Sequence, residues 1–246
     1  MSGTPAQGRL TGIGLGPGDP GLMTVKALRA VQAAGIVAYF CKRGRLGHAR
    51  GIVEGLLAPG VAEMPLAYPV TTEIAFDHPD YIGQLHAFYE TSAAQIAALL
   101  AAGRDVALLC EGDPMFYGSF MHLHVRLRGR FQVDVIAGVT GMSGCWTAAG
   151  MPMTWGDDIL TVLPGTLPQA ALAARLAQGD AFVIMKLGRN FPKVRAAIAA
   201  AGLMQRAVYA ERGTMAGERI CPLADFAGDI APYFAMILIP GQGRAP

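Results

Sequence analysis

Charge is scarce in this chain. Asp, Glu, Lys and Arg make up 15% of the 246 residues, and the formal net charge is only +2. A balance that small carries no general field toward nucleic acid or a membrane surface, so any positive potential must be local. The four cysteines, Cys41, Cys110, Cys145 and Cys221, include no Cys-x-x-Cys pair, so neither a zinc site nor a redox motif is signalled. Free thiols in a reducing compartment are expected. A phosphate-cradling Gly-Lys-Ser/Thr loop is missing too. Before Leu10 there is one basic residue and no apolar run, unlike a secretory signal; a cytoplasmic protein is expected. The longest uncharged stretch, 135–155, has the length of a membrane span. Its four glycines, proline and hydroxyls fit a loop plus a short helix better.

What the chain has in abundance is apolar residues, 52% of the total. That proportion suits a chain that buries part of itself against a second copy, so a homo-oligomer is expected. The length allows one large domain or two ordinary ones. In the first half, strand-like runs at 10–15, 36–41, 61–64, 105–110 and 131–137 alternate with helix-periodic segments at 24–34, 81–102 and 119–127. A further helix runs from the cationic loop at 42–50 to near Pro59, and 68–80 reads as irregular. Such alternation predicts an α/β fold with a parallel sheet covered on both faces. A glycine-rich turn then leads to strands at 159–163, 181–186, 207–211 and 234–240, with helices near 168–177 and 191–201. Two α/β domains are expected, 1–137 and 138–246.

Two turns stand out. Cys110-Glu111-Gly112-Asp113-Pro114-Met115-Phe116-Tyr117-Gly118 follows an apolar strand, and Gly16-Pro17-Gly18-Asp19-Pro20-Gly21 follows another. Each exposes backbone donors and a carboxylate at a strand's C-terminal end, where α/β proteins bind small molecules. The second turn matches GxGxxG, a weak signal alone. No acid ends the following strand, and Asp19 would sit where a pyrophosphate needs positive potential. A ligand with hydroxyls and a cationic centre fits better, and S-adenosylmethionine has both. The alternative is that Asp19 and Asp113 only stabilise their turns. His122 and His124 are two apart, diverging by about 200° on a helix, so packing is expected of them and no metal site.

Together, Gly14 to Gly21, Glu111-Gly112-Asp113-Pro114 and Gly138-Val139-Thr140 resemble the successive signatures of the tetrapyrrole methylases. The longer strings are similar to the branch of that family acting on precorrin-2: Cys110 to His124, Gly156-Asp157-Asp158, Thr161 to Pro168, Gly188-Arg189-Asn190 and Glu211 to Met215. The resemblance implies two α/β domains with a ligand cleft between them, S-adenosylmethionine as methyl donor, S-adenosylhomocysteine as product, and a homodimer. Carried over by motif, the donor contacts would be Pro17, Gly112, Asp113, Phe116, Thr140, Gly141, Met185 and Ala210. The third turn departs from the family pattern: Ala137 replaces the usual proline, and Gly141 the usual serine or alanine.

The acceptor implied is an eight-carboxylate tetrapyrrole, so cations are needed at its site. Arg43, Arg45, His48 and Arg50 are the first candidates, with Lys186, Arg189 and Arg212 next. A base must take a proton from the methylated carbon. Glu111, Asp113 and Tyr117 are candidates, as are Asp157 and Glu211.

Overall fold

The computed structural model describes residues 6–70 and 78–243. The chain forms two compact units that part between Gly141 and Met142. The first contains β1 (Arg9–Gly14), α1 (Val25–Ala33), β2 (Ile36–Lys42), α2 (His48–Ile52), β3 (Ala62–Tyr68), α3 (Pro79–Ala101), β4 (Val106–Cys110), α4 (Phe120–Leu127) and β5 (Gln132–Ile136). Its sheet has the order β3-β2-β4-β1-β5, and every pairing is parallel. Because parallel strands need crossovers, helices cover both faces. Leu10, Ala38 and Leu108 pack with residues of α3 and α4 on one face. Ile13, Val37, Tyr39 and Leu109 pack with residues of α1 and α2 on the other. β4 lies between β2 and β1, and all five of its residues are buried, hence its unbroken apolar sequence.

Two elements differ from the sequence expectation. β3 runs to Tyr68 through Pro65, which an edge strand tolerates because a proline there need not donate to a neighbour. α2 stops at Ile52, well short of Pro59. Of the stretch 68–80 expected to be irregular, 71–77 lies outside the described residues, while Tyr68 ends β3 and Pro79 begins α3.

The second unit follows the start of α5 (Gly141–Ala148), with β6 (Leu160–Pro164), α6 (Gln169–Leu176), β7 (Ala181–Met185), α7 (Phe191–Ala200), β8 (Val208–Glu211), β9 (Arg219–Pro222) and β10 (Ala235–Ile239). Its order is β6-β7-β10-β8-β9. Only β6 and β7 are parallel; β10 runs antiparallel to β7 and β8, and β9 to β8. Phe182, Ile184, Tyr209 and Ile237 pack with α6 and α7 residues on one face. Val183, Ala210, Met236 and Leu238 pack with Cys145 and Met153 on the other. Among the described residues, no helix is long and apolar enough to cross a membrane, and the four cysteines are free.

Candidate active site

Three loops leave the C-terminal ends of β1, β4 and β5, which are neighbours in the sheet, and they meet through backbone. Leu15 donates its N–H to the Cys110 carbonyl at 2.9 Å, Gly112 donates to the Gly16 carbonyl at 2.8 Å, and Gly16 donates back to Gly112 at 3.4 Å. The first two turns thus form one short antiparallel bridge. The third is pressed against both. A Cβ on Gly138 would overlap the Gly112 carbonyl oxygen and come within 2.8 Å of the Gly14 Cα. Gly112 itself sits at φ 63, in the left-handed region where glycine avoids the Cβ penalty.

Asp113 locks this junction. Its Oδ2 accepts the Gly138 N–H at 3.1 Å, and its Oδ1 accepts the Met115 N–H at 2.8 Å. The carboxylate therefore ties the β4 turn to the β5 turn. Asp19 works more locally, accepting the Gly21 N–H at 2.7 Å. The turn-stabilising alternative weighed for these acids is what the geometry displays. Around the junction, Pro17, Phe116, Thr140 and Gly141 are half-buried, so each keeps a surface toward solvent. Phe116 and Tyr117 stand edge to face, with ring centres 4.9 Å apart. Tyr117 is exposed and has φ 53, an uncommon conformation for a bulky residue and one that clusters at functional sites.

Glu111 points away from the junction, toward α2. Its Oε1 accepts the Ala49 N–H at 3.0 Å. Crowding by protein atoms raises its pKa from the ordinary carboxylate value, and the Ala49 amide opposes the shift. The residue is nonetheless exposed to solvent, which tempers that desolvation. Cys110 is buried, and burial pushes its thiol far up, so it is no nucleophile at neutral pH.

The cationic residues divide into two groups. Arg43 and Arg45 are exposed, as is His48 at the start of α2. Arg50 differs from its expected role. Its guanidinium forks onto Glu63, with Nε and Nη2 at 3.0 and 2.9 Å from the two oxygens, and reaches Glu54 at 2.7 Å. The Tyr39 hydroxyl donates to the same Glu63 at 2.9 Å. Arg50 is thereby committed to carboxylates of its own unit. The Arg50 hydrogen bond holds Glu63 below the usual carboxylate range. Desolvation first, then the Glu63 hydrogen bond, raises the Tyr39 phenol to about 12.

In the second unit, Met185 ends β7 half-buried, while Ala210 is fully buried and paired with Met236 in the sheet. Ala210 presents no surface to a ligand, because a strand interior covered on its face by Cys145 and Met153 leaves none. Lys186 (φ 58), Arg212 (φ 51) and Thr214 (φ 68) all occupy left-handed conformations just past strand ends. The sequence placed Lys186 and Arg212 among the candidates but offered no sign of this backbone strain. Arg189 and Asp157 are exposed. Glu211 accepts the Tyr209 hydroxyl at 2.7 Å. His122 stacks on Tyr89 at 4.1 Å, and His124 lies tilted against Phe120. No cluster of three potential metal ligands occurs among the described residues.

The family model described as Tetrapyrrole (Corrin/Porphyrin) Methylases matches residues 9–227. The chain is 58% identical to the Precorrin-2 C(20)-methyltransferase of Sinorhizobium sp. over 246 residues, covering 100% of both chains. It is 28% identical to the Cobalt-precorrin-2 C(20)-methyltransferase of Salmonella typhimurium, covering 96% of this chain and 97% of that one. Among solved structures, the methyltransferase CobJ shares the fold with a TM-score of 0.66 at 21% identity, covering 96% of this chain and 95% of the other.

Proposed function

The chain belongs to the tetrapyrrole methylase family, and we propose that it transfers a methyl group from S-adenosylmethionine to carbon 20 of precorrin-2, giving precorrin-3A on the route to cobalamin. The observation that carries this is the 58% identity, end to end, with a relative named for that reaction.

The residues at the junction fit the donor. Where Gly14, Gly112 and Gly138 crowd together, the surface is backbone, suited to hydroxyl and ammonium groups, and the Asp113 carboxylate favours a nearby sulfonium charge. Pro17, Gly112, Phe116, Thr140 and Gly141 would hold the donor, with Asp113 shaping their turns. S-adenosylmethionine supplies the electrophilic methyl carbon. A carbon–carbon bond forms as the sulfur–methyl bond breaks, its electron pair stays on sulfur, and S-adenosylhomocysteine departs. The protein's task is alignment and exclusion of water. A proton then leaves carbon 20. Of the three candidates on the β4 turn we assign that step to Tyr117, which is exposed and held in a left-handed conformation beside Phe116. Arg43, Arg45, His48, Lys186 and Arg212 would receive the substrate carboxylates. Exposed Ile230 and Tyr233 support burial against a second copy, and we include a cytoplasmic homodimer in this proposal.

Metal-free precorrin-2 is favoured over its cobalt complex, because identity to the relative named for the cobalt form is 28% against 58%. Turnover of the two acceptors side by side, followed by mass spectrometry of the product, tests this. Faster methylation of precorrin-2 is expected; preference for the cobalt complex would reverse the assignment.

A further inference from the structure

We propose that Glu111 is a positioning residue that fixes the cationic loop between β2 and α2 to the donor-side turn, so that acceptor-binding cations and methyl donor are held in one register. This rests on the proposed function above and assigns a part to a residue for which that function has no step.

The loop of residues 42–47 carries Lys42, Arg43 and Arg45, all exposed. None of the three has a carboxylate partner among the described residues. An exposed loop of this kind would ordinarily sample many shapes, and ordering it costs conformational entropy. Its base is nonetheless fastened on several sides. Arg45 donates its N–H back to the Lys42 carbonyl at 3.0 Å, closing the turn. Gly47 lies so close to β2 that a Cβ there would overlap the Phe40 carbonyl oxygen. Arg50, one turn further on, is clamped to Glu63 on β3, which Tyr39 on β2 also engages. These ties bind the loop to the β2–β3 edge of the sheet.

Glu111 supplies the tie in the other direction. It follows β4 directly, and its neighbour Gly112 is bonded to Gly16 in the donor junction. By accepting the Ala49 N–H, the side chain joins two segments 62 residues apart in sequence. Gly47, at the N-cap of α2, has no side chain to take the amides of the first turn, so this carboxylate from a different strand fills the place of a capping group. Displacing the β4 turn would displace α2, and with it the cations. A base in the proton-removal step needs a free oxygen directed at substrate; a positioning residue needs only an acceptor at the Ala49 amide. Glutamine can provide that acceptor and cannot act as the base.

Glu111→Ala and Glu111→Gln separate these roles. For Glu111→Ala, KM for precorrin-2 should rise about tenfold, the loss of one charge-assisted hydrogen bond expressed in binding, while kcat changes little. Calorimetry should show S-adenosylhomocysteine affinity unchanged, which also reports that the variant is folded. Glu111→Gln should recover most of the KM. Hydrogen exchange supplies a readout independent of any acceptor: the Ala49 amide should exchange several-fold faster in Glu111→Ala and be protected again in Glu111→Gln. Should wild-type protein leave precorrin-2 unmethylated, the proposed function fails, and the exchange data alone decide whether Glu111 fastens the loop. Equal collapse of kcat in both variants would make Glu111 a base and overturn the proposal. So would unchanged Ala49 exchange in Glu111→Ala.

Discussion

In the parallel unit, the loops beyond β1, β4 and β5 meet through glycine backbone, with Gly14, Gly112 and Gly138 in mutual contact and one carboxylate bonding across them. In the mixed unit, the loops beyond β7 and β8 instead place Lys186, Arg212 and Thr214 in left-handed conformations that glycine would occupy more easily. The first arrangement removes side chains so that backbone groups from three loops can converge. The second keeps large side chains at a backbone cost of about 1–2 kcal/mol each. One set of loops is built from amides and carbonyls, and the other carries the exposed cations Lys186 and Arg212.

The largest effect should come from filling the glycine junction. Gly138→Ala places a methyl group onto the Gly112 carbonyl, so a stability loss of about 3 kcal/mol or more is expected, together with loss of donor binding. Denaturant unfolding and calorimetry with S-adenosylhomocysteine measure both. A fully stable, donor-binding variant would break the contrast between the units. Next comes the carboxylate. Asp113→Asn can still accept one of the two amides but turns its own donor toward the other. A loss of about 2 kcal/mol and weaker donor binding are expected, with Asp113→Ala worse. Lys186→Gly should do the reverse to the backbone, relieving the left-handed strain while giving back unfolded-state entropy, for a net stability change within about 1 kcal/mol. Its acceptor KM should still rise, because the cation is gone.

The smallest effect concerns pH at the loop clamp. Glu63 has a folded pKa lowered by Arg50. Its contribution to stability is therefore complete above the ordinary carboxylate pKa and lost as pH falls through the lowered value. Glu63→Gln should remove that part of the acid limb and leave the neutral-pH slope unchanged, as unfolding midpoints across an acid series would show.

The alternation of apolar runs and periodic helices made the first unit legible, because a parallel sheet demands crossover helices and writes them into the sequence. Pro65 hid most of β3, since an edge strand obeys weaker rules than β4 at the centre. The four-residue β9 carries too little pattern to stand out, and the antiparallel pairing of β10 depends on tertiary arrangement. At the site, the glycine and acid residues of the turns were visible, but their partners were not. Asp113 bonds Gly138 across 25 residues and Glu111 bonds Ala49 across 62; periodicity does not encode such distances. Arg50 read as a loop cation because its two glutamates, Glu54 and Glu63, lie outside the cationic run. The left-handed residues of the mixed unit left no trace, as lysine, arginine and threonine give no signal of positive φ.

The central claim, methylation of precorrin-2 at carbon 20, is tested most directly with a donor carrying a carbon-13 methyl group. Carbon NMR of the product should show one new labelled methyl attached to carbon 20, and the mass should rise by a single labelled methyl. Label at any other position, or S-adenosylhomocysteine release without labelled tetrapyrrole, would contradict it.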